Sequence, residues 1–170
     1  MTKDARDLLN KAVLTISTGT QIGTVDQLLF EPGQHMLYGI VVKPRDKGEP
    51  QLVVRSGSVR SYGDQAITVQ SEADATAFDA DRKARELAGD GGHLGGLRVV
   101  TEDGNELGTV DTVEINDDGS IAAYRTGGGM LGLKSGKEIR PEQIVSAGPD
   151  AIIVSSAVAH QDAGSKDQPH

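Results

Sequence analysis

Gly23-Thr24-Val25-Asp26 recurs as Gly108-Thr109-Val110-Asp111, 85 residues further along the chain. The same offset pairs Leu9 with Leu94, Ala12 with Leu97, Leu14 with Val99 and Gly19 with Gly104. It goes on to pair Ile22 with Leu107, Leu28 with Val113 and Phe30 with Ile115. Late in each copy Val59 meets Ile144, Gly63 meets Gly148, Ala66-Ile67 meets Ala151-Ile152, and Val69 meets Val154. One offset held from Leu9 to Val69 makes the chain two copies of a single small module with almost no net insertion between them.

The 170 residues therefore divide into residues 1–70, a connector over 71–90, residues 91–158, and a polar tail over 159–170 expected to be disordered. Modules this small bury modest cores and are individually marginal, so the copies are expected to support each other or a partner chain. Aromatics make up 3%, which leaves Val, Ile and Leu to build the interior. There is no cysteine, which excludes disulfides, thiol nucleophiles and thiolate metal sites and suits a reducing cytoplasm. No run approaches 18 apolar residues, and the charged start Met1-Thr2-Lys3-Asp4-Ala5-Arg6-Asp7 leads into no apolar segment, so neither a membrane helix nor a leader is expected.

Net charge is −8 and unevenly spread. Residues 1–70 hold 8 basic against 7 acidic side chains, residues 71–90 hold 3 against 6, and residues 91–170 hold 6 against 12. An acidic second copy repels phosphate backbones, so any contact with nucleic acid falls to the first.

Both copies read as strands. Asn10 and Gly95 are expected to share a left-handed turn. Strands follow at Ala12–Ser17 and Leu97–Thr101, then hairpin turns at Ser17-Thr18-Gly19-Thr20 and Glu102-Asp103-Gly104-Asn105. The next strand carries Ile22, Val25, Leu28 and Phe30, matched by Leu107, Val110, Val113 and Ile115. Odd spacings do not fit one face of a regular strand, so a bulge is expected near Asp26 and Asp111. Turns at Pro32-Gly33 and Asp117-Asp118-Gly119 lead into returning strands at Met36–Lys43 and Ser120–Thr126, and the copies close on strands at Ala66–Val69 and Ala151–Ser155. Between them, Ala73, Ala77, Ala80, Ala84 and Leu87 mark one helical face, with Asp79–Lys83 and Asp81–Arg85 at i,i+4. Ser71 and Asp74 form the start signal and Gly89 the stop. Such a helix either lies on one module, the reading preferred here, or forms a dimer seam.

Few residues point to chemistry. Gly127-Gly128-Gly129 followed by Met130 to Lys137 lacks the Gly-Lys-Ser/Thr order and helical context of a phosphate loop, and reads as a mobile connection. His35, His93, His160 and His170 have no second ligand at metal spacing. No Gly-x-Ser-x-Gly elbow is present. Asp26 and Asp111 read as carboxylates accepting backbone N–H bonds at the bulge rather than as a paired acid site. Asp117-Asp118-Gly119 lacks the further ligands of a calcium loop. Lys43, Arg45, Lys47, Arg55 and Arg60 form a loose basic cluster, with only Tyr38 and Tyr62 to stack on bases. No catalytic, cofactor-binding or metal-binding residue is assigned.

The order Leu-Asn/Gly-Lys/Gly, a glycine turn, Ile/Leu-Gly-Thr-Val-Asp, a hydrophobic strand, a turn and another strand resembles the PRC-barrel family, twice, over all but connector and tail. The resemblance implies an all-β protein of two tandem six-stranded β-barrels joined by a helix. Members include the cytoplasmic part of the photosynthetic reaction-centre H subunit, a domain of a ribosome maturation factor, cell-division adaptors and many bacterial stress-associated proteins. They act mainly as protein-binding modules without defining catalytic residues. The membrane helix of the H subunit and the RNA-associated domain of the maturation factor have no counterpart here. The expectation is a cytoplasmic, non-enzymatic adaptor that binds a protein partner and self-associates, for instance as a dimer. The alternative is an RNA- or ribosome-associated factor acting through the first barrel.

Overall fold

The computed structural model describes residues 2–31, 33–88, 96–127, 136–148 and 150–158. Strands are the main regular structure among the described residues. The first copy contributes β1 (Thr2–Asp4), β2 (Ala12–Thr15), β3 (Gln21–Glu31), β4 (Met36–Pro44), β5 (Leu52–Arg55), β6 (Val59–Tyr62) and β7 (Ala66–Val69). The connector holds β8 (Ala75–Ala77) and the helix α1 (Arg82–Glu86). The second copy contributes β9 (Arg98–Thr101), β10 (Glu106–Asn116), β11 (Ile121–Thr126), β12 (Glu138–Ile139), β13 (Ile144–Ala147) and β14 (Ala151–Val154). No helix among the described residues is long and apolar enough to cross a membrane.

The two sheets share one path. The first runs β6-β7-β2-β3-β4-β5-β8 and the second β13-β14-β9-β10-β11-β12. In each, a parallel pair joins the strand that opens the repeat to its last strand, β2 to β7 and β9 to β14. Neither sheet closes on itself: the strands at its two ends do not pair with each other among the described residues.

The repeated tetrapeptide has a backbone explanation. A side chain at Gly23 would place its Cβ 2.2 Å from the Lys43 carbonyl oxygen, and Gly108 sits at φ +129°. Both positions therefore require glycine. Val25 and Val110 are buried. The expected bulges fall at Asp26 and Asp111, where the ladders slip between Val25 and Gln27 and between Val110 and Thr112. Slips at Leu29/Phe30 and Glu114/Ile115 curl the same strands again.

The constant offset needs correction. Gly23 faces Val13 and Gly108 faces Val99, so the opening strands correspond at 86 rather than 85 residues. The left-handed Asn10 (φ 69°) is accordingly matched by Gly96 (φ 88°), each amide bonding the carbonyl of Val25 or Val110 at 2.8 Å. Gly95 lies outside the described residues. In β4 and β11 the offset is 84, since Val25 pairs Val42 while Val110 pairs Thr126. Turns of different length slip the register by one residue each way and then restore it.

The connector also departs from the expected single helix. Ser71 and Asp74 do form a capping box, but over one short 3-10 turn. The chain then extends as β8 on the edge of β5. A second 3-10 turn follows at Phe78–Ala80, and α-helix is confined to Arg82–Glu86 among the described residues. Ala73, Ala77 and Ala80 are exposed, whereas Ala84 and Leu87 are buried. An unpaired strand edge offers three residues a ladder in place of a helix that short segments barely sustain in water. Gly89 lies outside the described residues.

The copies are not separate bodies. One contiguous core joins Val13, Ile40, Tyr62 and Ile67 to Val99, Ile115, Tyr124 and Ile152. β1, which leads into the first copy, pairs with β10 of the second, with Lys3 opposite Ile115. The segment leading into the second copy lies on the first, where Gln27 Nε2 donates to the Ala88 carbonyl at 3.3 Å. This reciprocal exchange lets two marginal modules share one interior.

Candidate interaction sites

Two places gather buried polar groups. The first is the joint between the copies, where the β3–β4 and β10–β11 turns meet. Met36 bridges Ser120, the Leu37 amide donates to the Gly119 carbonyl at 2.9 Å, and the Ile121 amide donates to the His35 carbonyl at 2.9 Å. His35 Nδ1 hydrogen-bonds the Tyr124 hydroxyl at 2.9 Å, their rings edge to face. Lys3 Nζ donates to the Tyr62 carbonyl and lies 3.2 Å from Asp64 and 3.4 Å from Asp117. Ser56 and Tyr62 share a buried hydroxyl bond of 2.8 Å. Burial pushes the Tyr62 hydroxyl up to about 12 and raises that of Tyr124 as well. Both phenols are therefore held in the neutral form in the joint.

The second place is where the connector meets the first sheet. Asp81 is buried, its side chain 5% exposed. It accepts the Tyr38 hydroxyl at 2.9 and 3.0 Å, Arg55 Nε at 3.2 Å and the Ala84 amide at 3.0 Å. Burial alone raises this carboxyl, but the Ala84, Tyr38 and Arg55 bonds outweigh it and hold it below its usual value. The same burial and the facing carboxylate push Tyr38 up to about 12. Arg55 and Lys83 stand over the Tyr38 ring at 5.1 and 5.9 Å, and Lys83 also pairs with Glu31.

The sequence candidates are dispersed. Asp26 is exposed and accepts Gln51 Nε2 at 2.8 Å, Asp111 is exposed, and neither accepts the expected backbone amide among the described residues. The bulge turns them outward. Asp118 accepts the Ser120 amide and hydroxyl, which lower its pKa, and Asp117 faces Lys3. That turn belongs to the joint. His93, His160, His170, the run from Gly128 to Ser135 and the tail lie outside the described residues. No group of three His, Asp or Glu side chains converges among the described residues.

Two members of the basic cluster are engaged by neighbours. Arg55 is held by Asp81, and Arg60 donates to Gln70 at 2.8 Å. Arg45 lines a cleft of about 430 Å³ together with Asp46, Glu49 and Glu72. Of the two tyrosines, Tyr62 is fully buried and Tyr38 carries two cations over its ring. The expected i,i+4 pairs of the connector are replaced by Asp81 to the sheet and Lys83 to Glu31, with Arg82–Glu86 formed instead at 3.4 Å. In the sequence Asp81 reads as half of an i,i+4 pair with Arg85, which does not reveal its burial against Tyr38 and Arg55. Its position just before Arg82-Lys83-Ala84 was a legible N-cap signal.

No curated protein matches the chain significantly. The family model for the PRC-barrel domain matches residues 1–75 and again residues 92–161, agreeing with the repeated sheet path and the shared bulges. The chain belongs to the PRC-barrel domain family, with two copies of the domain in tandem.

Proposed function

We propose that this chain is a non-enzymatic scaffold that binds a protein partner, and further copies of itself, through the edges of two small six-stranded barrels. The observation that supports the reading is strand addition within the chain. Twice an extended segment outside the repeated strands is bound as an extra strand, β1 on β10 and β8 on β5. A sheet that accepts its own connectors this way suits an extended segment of another protein, with backbone bonds giving affinity and side-chain positions giving specificity. β13 ends the second sheet and carries Val145, 55% exposed. An exposed apolar side chain on a terminal strand is the surface we assign to the partner. A cytoplasmic, stress-associated setting is part of the same proposal, suggested by the absence of cysteine and by the known members of the family.

The test is crosslinked affinity capture from native lysate with and without RNase, alongside the Val145→Lys variant and light scattering of the pure chain. The proposal expects oligomers or a specific protein that survives RNase and is lost with Val145→Lys. A monomer that retains nothing overturns it. A catch of ribosomal components that collapses with RNase replaces it with the RNA-associated reading.

A further inference from the structure

The connector covers a face that is apolar in one module and ionic in the other. Under Phe78 and α1 lie Leu29, Val41 and Val53, each at most 1% exposed. The ladders place Leu29 where the second copy has Glu114, Val41 where it has Arg125, and Val53 where it has Glu138. There, Arg125 pairs with Glu114 at 2.9 Å and approaches Glu138 at 3.8 Å. One module presents an apolar groove beside a strand edge, while the other closes the same face with a charge ladder.

The groove is separable from the main interior. Leu29, Val41, Val53, Ala84 and Leu87 form a cluster of their own, apart from the core that joins the two copies. The connector is held by three ladder positions, Leu52–Ala77, Val53–Thr76 and Val54–Ala75, by the Phe78 amide on the Gln51 carbonyl at 3.0 Å, by Lys83 on Glu31 and Gln27 on the Ala88 carbonyl, and by Asp81. Few of its side chains are buried, which places it at the low-stability end of the molecule.

We propose that residues 75–88 are an in-chain ligand that leaves this groove as one unit. The uncovered groove takes an extended protein segment of the same chemistry: small apolar residues along β5 and one carboxylate for Tyr38 and Arg55. The identity of the occupant rests on the strand-addition reading above; the opening does not. The in-chain copy competes at a high effective concentration, so a partner enters when the Asp81 anchor is weakened or when the partner offers a better one.

Two measurements test this. Native-state hydrogen exchange compares the Phe78, Ala84 and Arg85 amides with those of Ile16 and Val25, which bond the carbonyls of Val69 and Lys11. The three connector amides should share one opening equilibrium, at least ~100-fold more open than the other two, and Asp81→Asn should speed all three by ~10-fold without moving Val25. Second, a labelled synthetic peptide of residues 73–88 should bind the Asp81→Asn chain at least ~10-fold more tightly than the wild-type chain, and lose binding when the peptide itself carries Asp81→Asn. Because the chain has no cysteine, Leu52→Cys with Ala77→Cys, added to the Asp81→Asn chain, creates one staple across β5 and β8. Oxidation should abolish both the opening and the peptide binding, and reduction should restore them. Connector amides that exchange only together with Val25 overturn the opening. An opening connector with no peptide binding overturns the groove as a site. A partner captured through Val145 while the connector stays shut overturns this inference and leaves the scaffold reading standing.

Discussion

Gly119 and Gly104 have nearly the same backbone, φ +89° and +91°, in very different surroundings. A Cβ at Gly104 meets nothing within 4 Å, whereas one at Gly119 would stand 2.6 Å from Ser56 Oγ and 2.8 Å from Tyr62 Cε2. Both partners of Gly119 belong to the other copy, so the pair separates a local cost from a cost carried by the joint. Replacing either glycine by alanine puts a side chain in the left-handed region, at about 1–2 kcal/mol. At Gly119 the new methyl must also displace a buried hydroxyl pair, adding about 1–3 kcal/mol for overpacking. Gly104→Ala should therefore lose about 1–2 kcal/mol and Gly119→Ala about 2–5 kcal/mol. Urea denaturation followed by circular dichroism measures both, with the slope m checking that the unfolded states match. Equal losses would refute the reasoning, because they would mean that the turn at Gly119 does not press on Tyr62 and that the copies are not packed against each other there.

The shared interior has a direct consequence for cooperativity: calorimetry should show one transition whose calorimetric and van't Hoff enthalpies agree, and two resolved transitions would contradict a common core. Tyr62→Phe strands the Ser56 hydroxyl and should cost about 1–2 kcal/mol in the same urea assay. Asp81 has a lowered pKa in the folded chain, so its stabilisation is present above the unfolded carboxylate value and is lost as pH falls through the folded one. The stability gap between wild type and Asp81→Asn should be flat from neutral pH down to about 5 and shrink below about 4; a gap that widens on acidification would reverse the assignment. Placing Leu, Val and Val at Glu114, Arg125 and Glu138 gives the second module an apolar face that no connector covers among the described residues, and the variant should elute earlier than wild type in size-exclusion chromatography.

Much of the module could be read from local chemistry. The three-residue spacings of Ile22, Val25 and Leu28 mark a bulge, and it lies at Asp26, because a strand that turns residues three apart toward one core must slip its ladder. Gly19 and Gly104 marked hairpin turns because only a residue tolerant of positive φ fits there. The exact match of the copies was less legible, since a residue lost in one turn and restored in another leaves the overall spacing nearly unchanged. The Ala-rich connector misled for a different reason. Helical periodicity reports what a segment prefers alone, and here the preference was overridden by β5, whose edge lay open to capture Ala75–Ala77.

The sequence by itself determined that there are two like modules, where each turns and bulges, and that both are built of strands, because turn geometry and strand bending depend on residues a few positions apart. Only the tertiary structure decided how the modules share one core, that each takes the other's leading segment, and that Asp81 is buried against Tyr38 and Arg55. Those outcomes depend on strand edges and apolar faces such as Leu29, Val41 and Val53, which come together from distant stretches of chain only when the sheet has formed.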